Sequence, residues 1–375
     1  MDLADAPEAA QFRQRLRSWL SEHLPGAPPE SFEERQAFHV EWYRLLYRHG
    51  WLGLSWPVEY GGRGLGPIEE AILNEEVGSA GGPPLPASGY IGRPILHHGS
   101  EEQKRQWLPP MLSFEEQWCQ SFSEPGAGSD LAGISTRAVL EEGFYRLSGQ
   151  KIWTSYGQFA RFALVLTRTE PDSQRHHGLS LLVVDLTSPG VEVRPIITAE
   201  GAAEFCEVFY DDVAVPAGNL VGEAGQGWAY AMTTLAYERG PVDIGFQARY
   251  QSMLKDLAAQ LTDEDPVTAE AIGRAAIAVE VLRMRSLQTL TRRADGALPG
   301  SEGSVDKLLM ASTEQLLMRT ALDLLGSRAF TDADSLWFRR YLYSRAATVY
   351  GGTAEIQKNI IAERVLHLPR SKPAR

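Results

Sequence analysis

The chain has 375 residues, 22% of them charged and 43% hydrophobic, with a formal net charge of −12 and a pI near 5.3. That length allows more than one core in an ordinary globular protein, and the acidic balance argues against nucleic acid or an anionic membrane surface as partner. Cys119 and Cys206 are the only cysteines, no signal peptide precedes Met1 and no apolar run could span a bilayer, so the expected compartment is a reducing cytoplasm.

In chain order, residues 8–24 place Phe12, Leu16, Trp19 and Leu20 on one helical stripe, ended by Pro25, Pro28 and Pro29. A second helix is expected over about 31–49, with Phe38, Trp42, Leu45 and Leu46 inward. The Gly-rich run Glu59-Tyr-Gly-Gly-Arg-Gly-Leu-Gly66 has no βαβ unit around it, so it does not read as a nucleotide loop. A helix over 67–80 turns Ile68, Ile72 and Val77 inward; its Glu69, Glu70, Glu75 and Glu76 read as a solvated acidic face rather than metal ligands. Helices over 92–99 and 101–113 complete a helical block. His97-His98 has no second ligand pair at metal spacing, so no metal site is expected.

From Gln117 the period changes. Strands are expected at Arg137–Glu141, Phe144–Leu147, Phe162–Arg168, Leu179–Leu186, Val191–Pro195 and Phe205–Val215, a small β-barrel or sandwich. Two stretches here suit a planar, anionic or carbonyl-rich ligand. In Gln120-Ser-Phe-Ser-Glu-Pro-Gly-Ala-Gly-Ser-Asp130 a strand end runs into a turn, where Pro125 restricts φ and Gly126 and Gly128 permit positive φ. Outward N–H groups of such a turn favour an anion. In Gly149-Gln-Lys-Ile-Trp-Thr-Ser155 a flat ring, Trp153, stands beside the hydroxyls of Thr154 and Ser155. His176-His177 sits in a polar loop and reads as solvent-exposed.

Gly222, Gly225 and Gly227 read as a linker, and helices are expected over 227–260, 266–294, 304–326, 333–346 and 353–367, a four-helix-type bundle. In Tyr350-Gly-Gly-Thr-Ala-Glu-Ile-Gln357 a Gly-Gly turn precedes Thr353 as N-cap, with Gln357 in the helix beyond. The expected fold is multidomain α+β: an all-α domain over 1–116, a β domain over 117–222 and a helical bundle over 223–375.

Helical block, β block and bundle, with Phe122-Ser-Glu-Pro-Gly-Ala-Gly-Ser-Asp130, Gly149-Gln-Lys-Ile-Trp153, Val213-Ala-Val-Pro216, Leu220–Trp228 and Tyr350–Gln357 in order, closely resemble the acyl-CoA dehydrogenase family over nearly the whole chain. The resemblance implies an FAD enzyme that removes an α-proton and a β-hydride from an acyl-CoA thioester, the hydride going to flavin N5. By the same resemblance Phe122 and Ser123 meet the flavin ring, Trp153 packs on it and Ser155 bonds near N5. Gly128 and Ser129 lie near flavin and pantetheine, and Thr353 and Glu355 are cofactor contacts.

Two departures stand out. Most of the family places the catalytic carboxylate at the second position of the last loop, which here is Gly351. A minority carries it on the first bundle helix before an Arg, and this chain reads Leu235-Ala-Tyr-Glu-Arg-Gly240. The resemblance therefore makes Glu238 the base, Arg239 a contact toward the CoA arm and Gly351 a backbone donor to the thioester carbonyl, where charge gathers in the transition state. Losing a side chain at 351 also suits a bulky, branched or cyclic acyl group. The family's Arg-x-x-Phe-Gly, which reaches a neighbour's FAD pyrophosphate, has no counterpart; Leu261-Thr-Asp-Glu-Asp-Pro266 stands there, and its carboxylates would repel phosphate.

That leaves homo-oligomer and heterotetramer with a sister subunit both open. It also leaves three functional readings: a dehydrogenase passing electrons to an electron-transfer flavoprotein, a non-catalytic or half-site subunit, and an acyl-carrier-protein dehydrogenase or oxidase relative. Chain length, ring content and carrier are not written in the sequence.

Overall fold

The computed structural model describes residues 5–237, 241–261, 265–297, 300–331 and 336–369, with backbone alone at 241–243. Its helices are α1 (Pro7–His23), α2 (Phe32–Arg48), α3 (Pro67–Ser79), α4 (Ser88–Ile91), α5 (Arg93–His98), α6 (Glu101–Ser113), α7 (Gly227–Tyr237), α8 (Pro241–Gln260), α9 (Pro266–Ala294), α10 (Gly303–Leu325), α11 (Arg328–Thr331), α12 (Leu336–Ser344) and α13 (Ala354–Ile360). The strands are β1 (Trp118–Ser121), β2 (Arg137–Glu141), β3 (Phe144–Ser155), β4 (Phe162–Arg168), β5 (Leu179–Asp185), β6 (Val191–Ile196) and β7 (Phe205–Pro216). The chain folds into two compact units: Pro28–Gly64 with Pro86–Glu238, and Met1–Ala27 with Leu65–Leu85 and Arg239–Arg375. So α7, which opens the C-terminal helices in chain order, belongs to the unit of the sheet, and α1 and α3 belong to the unit of the bundle.

In the first unit the strand order is β1-β4-β2-β3-β7-β6, with β5 on the other side of β4. β1 runs parallel to β4, and the β2–β3, β3–β7, β6–β7 and β4–β5 pairs are antiparallel. β4 and β5 read as continuous apolar runs because both faces are buried. Leu164, Leu166, Leu181 and Val183 join a core with Ile95, Trp107, Leu108 and Met111 of the helices. Ala163, Val165, Leu182 and Val184 join a second core within the sheet, with Leu147, Val208 and Val213.

In the second unit α3 lies against α8 at a crossing of glycines. A Cβ at Gly78 would stand 2.6 Å from the Gly245 carbonyl oxygen, so the helices approach to backbone contact. Tyr250, Leu257, Leu282, Leu317, Ala321 and Trp337 centre the bundle core.

Local expectations needed correction in several places. The acidic face of α3 is not solvated throughout: Glu76 is buried and takes Arg13 at 2.5 Å and Arg17 at 2.7 Å, and Glu75 takes Arg13 at 2.6 Å. Glu69 accepts from the Gly66 N–H at 3.0 Å, closing the helix start. Ile68 faces outward, whereas Ile72 and Val77 are core. On α2 the stripe is rotated, with Val40, Trp42, Tyr43 and Leu46 buried and Phe38 and Leu45 only half-buried. The 92–99 helix is two short ones, the strand from Phe144 runs on to Ser155, and the 227–260 stretch appears as α7 and α8 on either side of residues 238–240. No described helix is long and apolar enough to cross a membrane.

Candidate functional site

The end of β1 and the turn after it are stitched to β3 from below. The Glu124 N–H donates to the Ala127 carbonyl at 3.2 Å and the Ala127 N–H to the Glu124 carbonyl at 3.0 Å, closing a turn over Pro125-Gly126. The Ile152 N–H donates to the Ser123 carbonyl at 2.9 Å. Beneath lies an ion pair that the sequence reading did not single out. Lys151 is fully buried; its Nζ donates to the Phe122 carbonyl and to Glu124 Oε1, each at 2.9 Å. Glu124 also accepts from the Ser135 N–H and hydroxyl and the Thr136 N–H, at 2.7, 2.8 and 2.9 Å.

Burial opposes charge on Glu124, but Lys151 and these donors outweigh it and hold the carboxyl at about 2. Burial likewise draws the Lys151 ammonium down to about 8, with Glu124 working against it. A buried pair of this kind is kept only where every lone pair and proton is answered, as here.

A bulge explains how Lys151 came to face inward. β3 slips register against β7 between Lys151 and Thr154. One extra residue reverses the in–out alternation, so Lys151 and Thr154, three apart, both point in. Trp153 is pushed out at φ 61, a left-handed conformation costly for a bulky residue, and is 57% exposed. Phe205 meets its ring edge-on at 6.0 Å between centroids. Thr154 does not offer its hydroxyl outward; it is buried and 3.0 Å from the Ser121 hydroxyl. Ser155 is half-buried at the strand end, Phe122 is core, Ser123 is half-buried, and Gly128 and Ser129 are exposed.

Gly126 and Gly128 differ from expectation in a useful way. Neither adopts positive φ. A Cβ on either would meet nothing within 4 Å. The described protein therefore gives no steric or conformational reason for glycine there, and close approach of a ligand is the remaining physical reason. Gly149 is the opposite case, since a Cβ would stand 2.7 Å from Thr136 Cα. An outward aromatic face, an open glycine turn and a half-buried hydroxyl at the strand end form a surface that fits a planar heterocycle with a phosphate arm.

On the same unit α5 packs against α7. His97 stacks on Tyr237 with centroids 5.6 Å apart, and the Arg93 guanidinium stands 4.5 Å from that ring's centroid. His98 stacks on Tyr230 at 4.2 Å. Burial lowers both histidines, so they pack as neutral rings. His176 is exposed yet packs edge-on against Trp228 at 4.3 Å. Among the described residues no His, Cys, Asp and Glu cluster could hold a metal.

The bundle unit carries the other sequence-derived positions. Gly351 and Gly352 have φ 61 and 92. Thr353 caps α13, its hydroxyl accepting from the Ile356 N–H at 3.3 Å, and Glu355 is exposed in the first turn. Gln357, fully buried, turns back to donate to the carbonyls of Gly351 at 2.8 Å and Gly352 at 3.4 Å. It fixes the glycine pair, a role its position in the motif did not reveal. Asp265 is the N-cap of α9, accepting from the N–H groups of Val267 and Thr268 at 2.8 and 3.1 Å. Its carboxylate is thus tied to a helix start rather than presented to a phosphate. Glu238, Arg239, Asp263 and Glu264 lie outside the described residues.

Comparison with known proteins covers the chain end to end. Profiles described as acyl-CoA dehydrogenase N-terminal, middle and C-terminal domain match residues 6–115, 119–213 and 225–366. A relative named "Acyl-CoA dehydrogenase IpdE1" of Mycobacterium tuberculosis is 40% identical, over 97% of this chain and 98% of its own. Among solved structures, a "Tcur3481-Tcur3483 steroid ACAD" superposes with a TM-score of 0.87 at 29% identity, over 99% of this chain and 100% of that one. The "ChsE4-ChsE5 complex from Mycobacterium tuberculosis" gives 0.83 at 28% identity, with coverage of 99% and 100%.

Proposed function

Because the chain belongs to the acyl-CoA dehydrogenase family, we propose that it desaturates the CoA thioester of a bulky, ring-bearing acyl group of the steroid kind, with Glu238 as base. The family is FAD-dependent, and the chain is accordingly an oxidoreductase acting on acyl-CoA. When bound, FAD supplies the acceptor for the hydride leaving the β-carbon. Trp153 would lie against the ring system, Phe122 and Ser123 along its edge, Ser155 near N5, and Gly128, Ser129, Thr353 and Glu355 along the rest of the cofactor and the pantetheine arm.

Glu238 takes the α-proton and Arg239 orients the CoA arm. The Gly351 N–H donates to the thioester carbonyl as negative charge develops there, the point where one donor is worth most. The observation that carries this reading is the Gly351-Gly352 pair, a loop of backbone alone held by Gln357. Backbone can donate to a carbonyl but cannot accept a proton, so the base is assigned elsewhere. The missing side chain leaves width for a ring, and the steroid ACAD likeness supports the same substrate class.

We further read the chain as one half of a two-chain assembly. Its support is the absence of Arg-x-x-Phe-Gly and the likeness to the ChsE4-ChsE5 complex. Electrons then pass to an electron-transfer flavoprotein.

The test is anaerobic bleaching of the purified yellow protein by acyl-CoAs. Steroid-side-chain thioesters should bleach it faster than slim straight-chain ones. Glu238→Gln should retain FAD and lose roughly 10²- to 10⁴-fold in rate, the usual worth of a positioned general base. Bleaching by straight-chain thioesters alone would sink the substrate assignment, and an undiminished rate in the Gln variant would remove Glu238 from the chemistry.

A further inference from the structure

One buried carboxyl in the bundle has no part in the reaction as read above. Helix α10 carries Lys307, Glu314 and Gln315 at a spacing that puts them along one face. Two of them bind the segment leading to the glycine pair. Lys307, itself buried, donates from Nζ to the Ala347 carbonyl at 2.5 Å and stands 5.5 Å from the Tyr350 ring centroid. Gln315 Nε2 donates to the Ser344 carbonyl at 3.0 Å and approaches the Thr348 hydroxyl at 3.5 Å.

Glu314 lies on the same face. Its Oε2 is sealed from solvent and has no hydrogen-bond partner among the described residues. The hydroxyls of Tyr250 on α8 and of Tyr350 address the carboxyl, and Arg345 and Arg249 act on it through their charge. The Arg345 guanidinium is itself engaged with the Tyr341 carbonyl at 3.3 Å and the Ser344 hydroxyl at 2.9 Å. Burial outweighs these neighbours and pushes the Glu314 carboxyl up to about 7.

Tyr350 immediately precedes Gly351 and Gly352. Two consecutive glycines at positive φ offer little conformational resistance, so their position depends on the anchors at each end. Gln357 is the anchor after them and Tyr350 the anchor before. We propose that Glu314 is a positioning residue for this loop: by accepting the Tyr350 hydroxyl it sets where the Gly351 backbone stands. The inference rests on the reading that the Gly351 N–H serves the thioester carbonyl. An ionised Glu314 accepts from both tyrosines. A protonated one carries a donor of its own into the same space and holds Tyr350 less well. The loop is therefore held more firmly above neutral pH than below it.

Amide hydrogen exchange of residues 350–353, corrected for intrinsic rates, tests this without turnover. Wild-type protection should be higher at pH 8 than at pH 6; in Glu314→Gln it should be lower at pH 8 and independent of pH. In the holoenzyme with an artificial electron acceptor, Glu314→Gln should lower kcat roughly tenfold with little change in KM, as expected when an oriented donor drifts. Its kcat profile should lose an inflection near neutrality. Tyr350→Phe should reproduce the rate loss, and the double variant should be no worse than either single one, since the two act through one bond. Additive losses, or exchange and pH profiles unchanged by Glu314→Gln, would overturn the proposal. If Glu238→Gln turns over normally, the base assignment falls while the exchange data still decide on Glu314. If Glu314→Gln abolishes proton abstraction in that case, Glu314 is the base and the positioning role is wrong.

Discussion

The turn at 122–128 and the glycine pair at 351–352 are both short backbone loops secured by a carboxyl hidden beneath them, but the two carboxyls are answered differently. Glu124 faces an ammonium and three donors and stays charged down to about 2. Glu314 faces two phenols, with arginines acting through charge alone, and burial carries it up to about 7. What separates them is partner chemistry. A buried carboxyl met by a full set of donors and a cation is locked, whereas one met by hydroxyls titrates where the enzyme works. One loop is thereby built to stay still, and the other to respond to pH.

The strongest way to break this contrast is to remove the cation from the locked side. Lys151→Met leaves Glu124 buried without its countercharge and should cost about 3–5 kcal/mol of unfolding free energy, the usual penalty for splitting a buried pair. Denaturant titration of the variant measures it. A loss within experimental scatter would mean that the backbone donors alone hold Glu124.

A pH series sharpens the comparison, because the two carboxyls tilt stability in opposite directions. Glu124 is lowered on folding, from 4.5 to about 2. Its contribution is complete above 4.5 and disappears as pH falls toward 2. Glu314 is raised on folding, from 4.5 to about 7. The folded chain then holds a proton that the unfolded chain has released, so this group makes stability fall as pH rises from 4.5 to about 7. Relative to wild type, Glu314→Gln should remove the downward component and Glu124→Gln the upward one, each read by denaturation across pH. Parallel slopes in the two variants would contradict the pairing described here.

The smallest expected effect on stability probes what the turn is open for. A Cβ at Gly128 meets nothing within 4 Å, so Gly128→Ala should leave the apoprotein within about 0.5 kcal/mol, as surface substitutions usually do. FAD retention should nonetheless drop, read by flavin release during gel filtration. Unchanged retention would remove the close-approach argument for that glycine.

Much of this was legible from residues alone. The order of helical block, β block and bundle follows from hydrophobic periods that switch at Gln117 and again near Gly227. The Thr353 cap follows from a hydroxyl placed ahead of a helical run. Lys151 was not legible, because its inward direction depends on a one-residue slip against β7 that no local pattern encodes. Glu76 looked like one of four similar carboxylates until Arg13 and Arg17 of α1 arrived from far along the chain. Glu314, in Ser-Thr-Glu-Gln, carries no local mark that it will be buried against Tyr250 and Tyr350.

By itself the sequence determined which segments would be helix, strand and turn, and which family they compose, because periodicity and turn chemistry are short-range properties of neighbouring side chains. Only tertiary structure decided which charges would be stripped of water and what would answer them. Burial and partner are set by residues tens of positions apart, and it is their meeting that leaves Glu124 charged and brings Glu314 near neutrality.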